Sequence, residues 1–129
     1  MSLRFGFLFM PAPPDQFLTW IREAEAAGAE MVGIGDSQSL YRDVYVACTL
    51  AAVNSKSIRI GPRVTNPLTR HPAVTASAIA SVDEASGGRA FLGIGTGHSA
   101  PLNVGMKPAR LDTLREYVGC IRTLFQKGE

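Results

Sequence analysis

Four short apolar runs open near residues 3, 31, 58 and 90, and each is followed by a segment with apolar side chains at helical spacing. The intervals of 28, 27 and 32 residues match the length of a strand, a crossover helix and two short connections. A helix inserted between two strands returns the chain to its starting end, so the next strand pairs in parallel. The sequence therefore predicts βαβαβαβα order, a parallel sheet, right-handed crossovers and helices packed outside the sheet. The units share negligible sequence identity, so the repeat is one of structure.

Residues 3–10 (LRFGFLFM) are almost continuously apolar and stop at Pro11, which predicts a strand buried on both faces. Asp15 offers an N-cap to a helix carrying Phe17, Ile21, Ala24 and Ala27, with Gly28 closing it. Residues 30–36 (EMVGIGD) form the second strand and residues 44–53 (VYVACTLAAV) a mostly apolar helix. In the third strand Ile58, Ile60 and Val64 alternate with Arg59 and Arg63. Gly61–Pro62 interrupts it, since proline cannot donate to a ladder. The third helix spans 72–86, with Pro72 at its first position and Val74, Ala78, Val82 and Ala85 as its inner face. Residues 90–95 (AFLGIG) make the fourth strand, and a polar loop then leads to about Ala109. The last helix carries Leu111, Leu114, Val118, Ile121 and Phe125, and Gly128 stops it.

A chain of 129 residues is long enough for one domain with a real core, here residues 1–129. Its net charge of +2, with both signs scattered, argues against nucleic acid or a membrane surface as partner. No apolar run approaches the length of a membrane span. Cys48 and Cys120 lie far apart in helical segments, so two reduced, buried thiols in a soluble cytoplasmic protein are expected. No His, Cys and carboxylate set has metal-ligand spacing.

Two architectures satisfy the pattern. One is a doubly wound open sheet with its ligand at the topological switch point. The other is part of a (β/α)8 barrel, which needs about 250 residues when complete. Gly95, Gly97 and Ala100 do match G-x-G-x-x-A after a strand. Yet Pro101 follows, and about ten loop residues separate the motif from its helix, whereas a pyrophosphate needs the helix N-terminus at once.

In either architecture ligands sit at the carboxyl ends of the strands, where the polar residues gather. Asp36 ends the second strand. Asn66, Thr69, Arg70 and His71 follow the third, and Thr96, His98 and Ser99 follow the fourth. Arg70 suits an anionic ring or carboxylate, and His71 suits proton or hydrogen-bond donation near neutral pH. Gly93, Gly95 and Gly97 leave room for a flat group against the backbone. Each has a plain structural reading as well: a loop acid capping a turn, a solvated turn held between Pro67 and Pro72, and tight strand packing. His98 beside Ser99 is no nucleophilic pair, because no G-x-S-x-G elbow is present.

Residues 61–97, GPRVTNPLTRHPAVTASAIASVDEASGGRAFLGIGTG, carry the longest recognisable text. With RFGFLFM at 4–10, GIGDSQSLYRD at 33–43 and VGMKPARLDTLREYVGCIRTLF at 104–125, the chain resembles the N-terminal half of the bacterial-luciferase-like oxidoreductases. It is most similar to the branch related to deazaflavin-dependent methylenetetrahydromethanopterin reductases. TNPLTRHP and EASGGR are the more specific segments.

The resemblance implies four βα units of a (β/α)8 TIM barrel: a half-barrel with a parallel sheet and outer helices. It implies FMN or the deazaflavin coenzyme F420 at the C-terminal rim, serving hydride or oxygen transfer to a small organic substrate. It also places a non-proline cis peptide at Arg63–Val64, against the central ring of the cofactor. Cofactor contacts are expected from Asp36, Arg63, Val64, Asn66, Arg70, Gly95, Thr96 and Gly97, with His71 and His98 as candidate catalytic groups. Two departures leave the choice between FMN and F420 open: Arg63 stands where some deazaflavin members have a small residue, and His98 where related sequences often have an acid. The family's phosphate site and much of its substrate pocket belong to the second half of the barrel. The alternative is therefore a non-catalytic half-barrel whose unpaired first and fourth strands drive it into a homo-oligomer.

Overall fold

The computed structural model describes residues 3–126. Its elements are β1 (Gly6–Phe9), α1 (Pro14–Ala26), β2 (Met31–Ile34), α2 (Val44–Val53), β3 (Arg59–Pro62), α3 (Pro72–Ser86), α4 (Ser99–Asn103) and α5 (Leu111–Gln126). The strands pair in parallel in the order β1-β2-β3, with Gly6 opposite Met31 and Met31 opposite Arg59. Alternation then sends Val32, Ile34, Ile58 and Ile60 to one face, where they are fully buried against Phe17, Ile21, Val44, Cys48, Ala51, Ile79 and Val82. Each such side chain contributes about 1.5–3 kcal/mol by leaving water.

Several boundaries follow from local chemistry. The Asp43 carboxylate accepts the backbone N–H groups of Tyr45 and Val46, 2.8 and 3.1 Å away, and so starts α2. α3 starts at Pro72 and closes on Gly87 at φ 68°. α1 begins at Pro14 with no side-chain cap, and Asp15 lies in its first turn, where its charge suits the helix dipole.

Other expectations need correction. β1 is an edge strand and is not buried on both faces: Phe5, Phe7 and Leu8 are 38–48% exposed, and Phe9 alone of its phenylalanines joins the core, beside Trp20. The inner stripe of α3 is Thr75, Ala76, Ile79, Val82 and Ser86, while Val74 and Ala85 face outward. Small residues surround this helix on every side, so periodicity does not select a face; partners for the Thr75 and Ser86 hydroxyls do. α5 buries Tyr117 and Ile121, leaving Leu111, Phe125 and Cys120 exposed. The loop after residue 95 contains a short helix, α4. Gly128 lies outside the described residues.

Residues 90–94 run parallel to β3 without forming a regular strand. Ile60 pairs with Ala90, and Thr65 pairs with Ile94. Between these pairings β3 advances five residues and its neighbour four, so the β3 side carries one extra residue, a bulge. The Gly93 N–H reaches the Pro62 carbonyl at 3.1 Å, but Pro62 has no N–H to return. Gly61 is required here, because a Cβ would fall on the carbonyl oxygen of Phe91.

Arg89 locks the amino-terminal end of this strand pair. Its Nε donates to the Ser86 carbonyl (2.7 Å) and its Nη1 to the Ile58 carbonyl (2.6 Å) and Ser55 Oγ (3.0 Å). Nη2 donates to the carbonyls of Ala52 (2.9 Å) and Ser55 (3.0 Å). All five guanidinium donors are thus satisfied. Arg89→Lys cannot reproduce that fork, and we expect it to lower unfolding free energy by about 2–3 kcal/mol, read as a lower urea midpoint at unchanged m-value. Gly61→Ala should cost at least as much, by forcing apart β3 and the segment beside it.

Candidate functional site

At the carboxyl end of the sheet the centre is Asp36, nearly fully buried just beyond β2. Its Oδ2 accepts from Arg70 Nη1 at 2.6 Å and from Thr65 Oγ1 at 2.7 Å; its Oδ1 accepts from Gln38 Nε2 at 2.9 Å and Arg70 Nη2 at 3.3 Å. Arg70 also reaches Asp43 Oδ2 at 2.9 Å and lies over the Tyr45 ring, 5.1 Å from its centre. Burial opposes charge on Arg70, but the bonds and fields of Asp36 and Asp43 prevail and raise its pKa. Burial pushes the Tyr45 phenol up to about 12, so this ring packs as a neutral platform. Burial would also raise Asp43, yet the Val46 amide and the Arg70 guanidinium outweigh it and hold the carboxyl below its ordinary value.

The loop after β3 is shaped by Asn66. Its Oδ1 accepts from the Leu68 and Thr69 amides at 3.0 and 3.1 Å, and its Nδ2 donates to Thr69 Oγ1 at 3.0 Å. Tyr117 Oη donates to the Arg70 carbonyl at 2.9 Å and lies 2.7 Å from Thr75 Oγ1, tying α5 to this loop and to α3. Ser37 Oγ donates to Ser99 Oγ at 2.6 Å, and Asn103 Nδ2 to the Gln38 carbonyl at 3.0 Å, so α4 docks onto the loop after β2. Gly97, at φ 82°, packs on Asn66 and Pro101; a Cβ there would sit 2.9–3.0 Å from both.

These contacts frame a cleft of about 230 Å³. Asp36, Arg63, Val64, Asn66, Gly97 and His98 line it, and Met10, Gly35, Ser37, Tyr41, Ser99 and Ala100 complete its wall. The Arg63–Val64 peptide is cis, at the position the resemblance implied. Arg70 and His71 do not line the cleft: Arg70 lies behind Asp36, and exposed His71 caps α3 through Nδ1, which accepts the Ala73 amide at 3.2 Å. Gly95 lies beside Val64, and the Thr96 carbonyl accepts the Ala109 amide, so these two act through backbone and space. Sequence reasoning missed Met10, Ser37 and Tyr41. All three lie within the segments that carry the resemblance, and Ser37 is also adjacent to Asp36. Among the described residues no cluster of three metal-ligating side chains occurs, and no helix is long and apolar enough to cross a membrane.

Parallel strands whose carboxyl ends frame a polar cleft, stiffened by a buried Asp–Arg pair, define an α/β fold of the class in which ligands sit at the sheet rim. The chain belongs to the luciferase-like monooxygenase family, whose model matches residues 5–129. It is 41% identical to the 5,10-methylenetetrahydromethanopterin reductase of Methanolobus tindarius, over 98% of this chain and 39% of that protein. The coenzyme F420-dependent tetrahydromethanopterin reductase of Methanopyrus kandleri superposes with a TM-score of 0.84 at 32% identity, over 94% of this chain and 40% of that one. The oxygenating constituent of 3,6-diketocamphane monooxygenase from Pseudomonas putida, solved with FMN, gives 0.79 at 25% identity, over 94% and 39%. The chain thus spans about two fifths of the length of these proteins.

Asp36→Asn would leave buried Arg70 with a neutral partner on one side, and we expect a loss of about 2–3 kcal/mol, with Asp43 limiting the damage. Because Asp43 titrates lower in the folded state, its contribution is complete above about pH 4 and is lost as pH falls through the depressed value. Urea midpoints of the parent and Asp43→Asn should therefore differ at pH 7 and converge below about pH 4.

Proposed function

We propose that the chain is the N-terminal half of a (β/α)8 barrel in a flavin- or deazaflavin-dependent oxidoreductase, and that the rim cleft takes the ring of FMN or coenzyme F420. The observation that carries this reading is the wall of the cleft. Val64 is 47% exposed there, and the same wall includes Gly35 and Gly97, which carry no side chains. A planar group can rest on such a surface. The volume of about 230 Å³ is below the roughly 300–1,000 Å³ of a complete small-molecule site, which suits a ring whose side chain is held elsewhere.

When bound, the cofactor supplies hydride equivalents or, as reduced FMN, the means of activating oxygen. This chain's residues bind and orient. Asp36 and Arg70 fix the ends of β2 and the loop after β3, Asn66 holds that loop's turn, and Val64 offers an apolar seat. His98, exposed in the same cleft, would hold or pass a proton to a small organic substrate. The exposed apolar edge of β1 supports association with a further copy or strand.

Fluorescence titration with FMN and with F420, side by side, tests the reading. Saturable binding of one is expected, and the tighter one identifies the branch. Val64→Glu should weaken binding at least tenfold while leaving the urea midpoint nearly unchanged, since the side chain is half exposed. Equal, non-saturating responses to both compounds would overturn the proposal.

A further inference from the structure

The cleft holds one charged side chain that the architecture does not use. Asp36, its only carboxylate, is fully engaged by Arg70, Thr65 and Gln38. Arg63 lines the same cleft, is exposed, and among the described residues has neither a salt-bridge nor a side-chain hydrogen-bond partner. Its place is nevertheless built. The stem lies over Gly33 of β2, where a Cβ would come within 2.6 Å of Arg63 Cβ and 2.8 Å of Cδ, and the Arg63 amide donates to the Ile34 carbonyl at 2.8 Å. Arg59, four residues earlier on β3, shows the contrast: its guanidinium is occupied by the Phe91 ring, 5.7 Å from the centre.

We propose that Arg63 is the anion-selecting residue of this cleft, and that the ligand seated there presents it with negative charge on a planar group. A guanidinium matches such a group through two parallel charge-assisted hydrogen bonds. The inference rests on the flavin-site reading for its setting. The negative charge has two sources of the same chemistry: the deprotonated ring of the reduced cofactor, or a carboxylate on the substrate.

The test uses the 15N-labelled full chain, with benzoate, oxidised FMN and reduced FMN as probes, comparing the parent with Arg63→Gln. The Arg63 Nε–H resonance should shift saturably with benzoate or reduced FMN while that of Arg59 stays still. In Arg63→Gln the affinity for that anion should fall about tenfold, and Arg63→Lys should recover part of it. A loss confined to reduced FMN assigns the charge to the ring, since oxidised FMN carries the same phosphate; a loss confined to benzoate assigns it to the substrate. Benzoate binding at Arg63 with no response to either FMN form would sustain the anion site and exclude FMN from the cleft, and the flavin-type reading would then fall if F420 also failed to bind in the titration above. An unmoved Arg63 Nε–H with all three probes, or unchanged affinities in Arg63→Gln, would overturn the inference.

Discussion

The rim of this sheet depends on one buried ion pair. Asp36 and Arg70 come from segments 34 residues apart, and their side chains are 2% and 12% exposed. Removing two charges from water is costly, and the pair survives because nearly every polar atom finds a partner. Thr65 and Gln38 complete the carboxylate, and Asp43 and the Tyr45 ring complete the guanidinium. One constellation thereby sets the exit of β2, the bulged end of β3, the start of α2 and the loop before α3. Any ligand in the cleft meets walls whose relative positions are decided beneath it.

A second cation does comparable work at the other end. Arg89 gathers the carbonyls of Ala52, Ser55, Ile58 and Ser86, groups at helix ends and a strand entrance that would otherwise lack donors. Glu25 complements it by accepting the amides of Lys56 and Ser57 at 2.8 and 2.7 Å. Neither residue takes part in the rim, yet both hold β3 in register against its neighbours. The sheet is thus pinned at both ends by long polar side chains and filled between them by Val and Ile.

What was legible in the sequence follows from what has a strong local cause. α2 and α3 begin and end where Asp43, Pro72 and Gly87 dictate. β2 and β3 show as apolar runs because one of their faces is fully buried. The exposure of β1 was not legible, since a run of Phe and Leu looks alike whether or not anything covers it. The stripe of α3 and the burial of Tyr117 depend on hydroxyl partners from distant segments, which periodicity does not register. At the site, Asp36, Asn66 and Gly97 followed from strand-end position and from the family resemblance. Arg70 and His71 lie outside this cleft, because a buried carboxylate and a helix end engage them, contacts with distant or backbone groups that strand-end position does not register.

The bulge between the Ile60–Ala90 and Thr65–Ile94 pairings also acts as a phase shifter. In a regular strand two consecutive residues cannot share a face, but here Arg63 and Val64 both line the cleft while Thr65 returns to the interior, beneath Asp36. The spacing of this segment therefore matters apart from its composition. Removing one residue from 61–64 while keeping both flanking pairings would leave too little chain to present two adjacent side chains to the cleft. Among related chains, substitutions in this stretch can tune the surface a ligand meets, whereas a change in its length would rewrite which side chains the ligand meets at all.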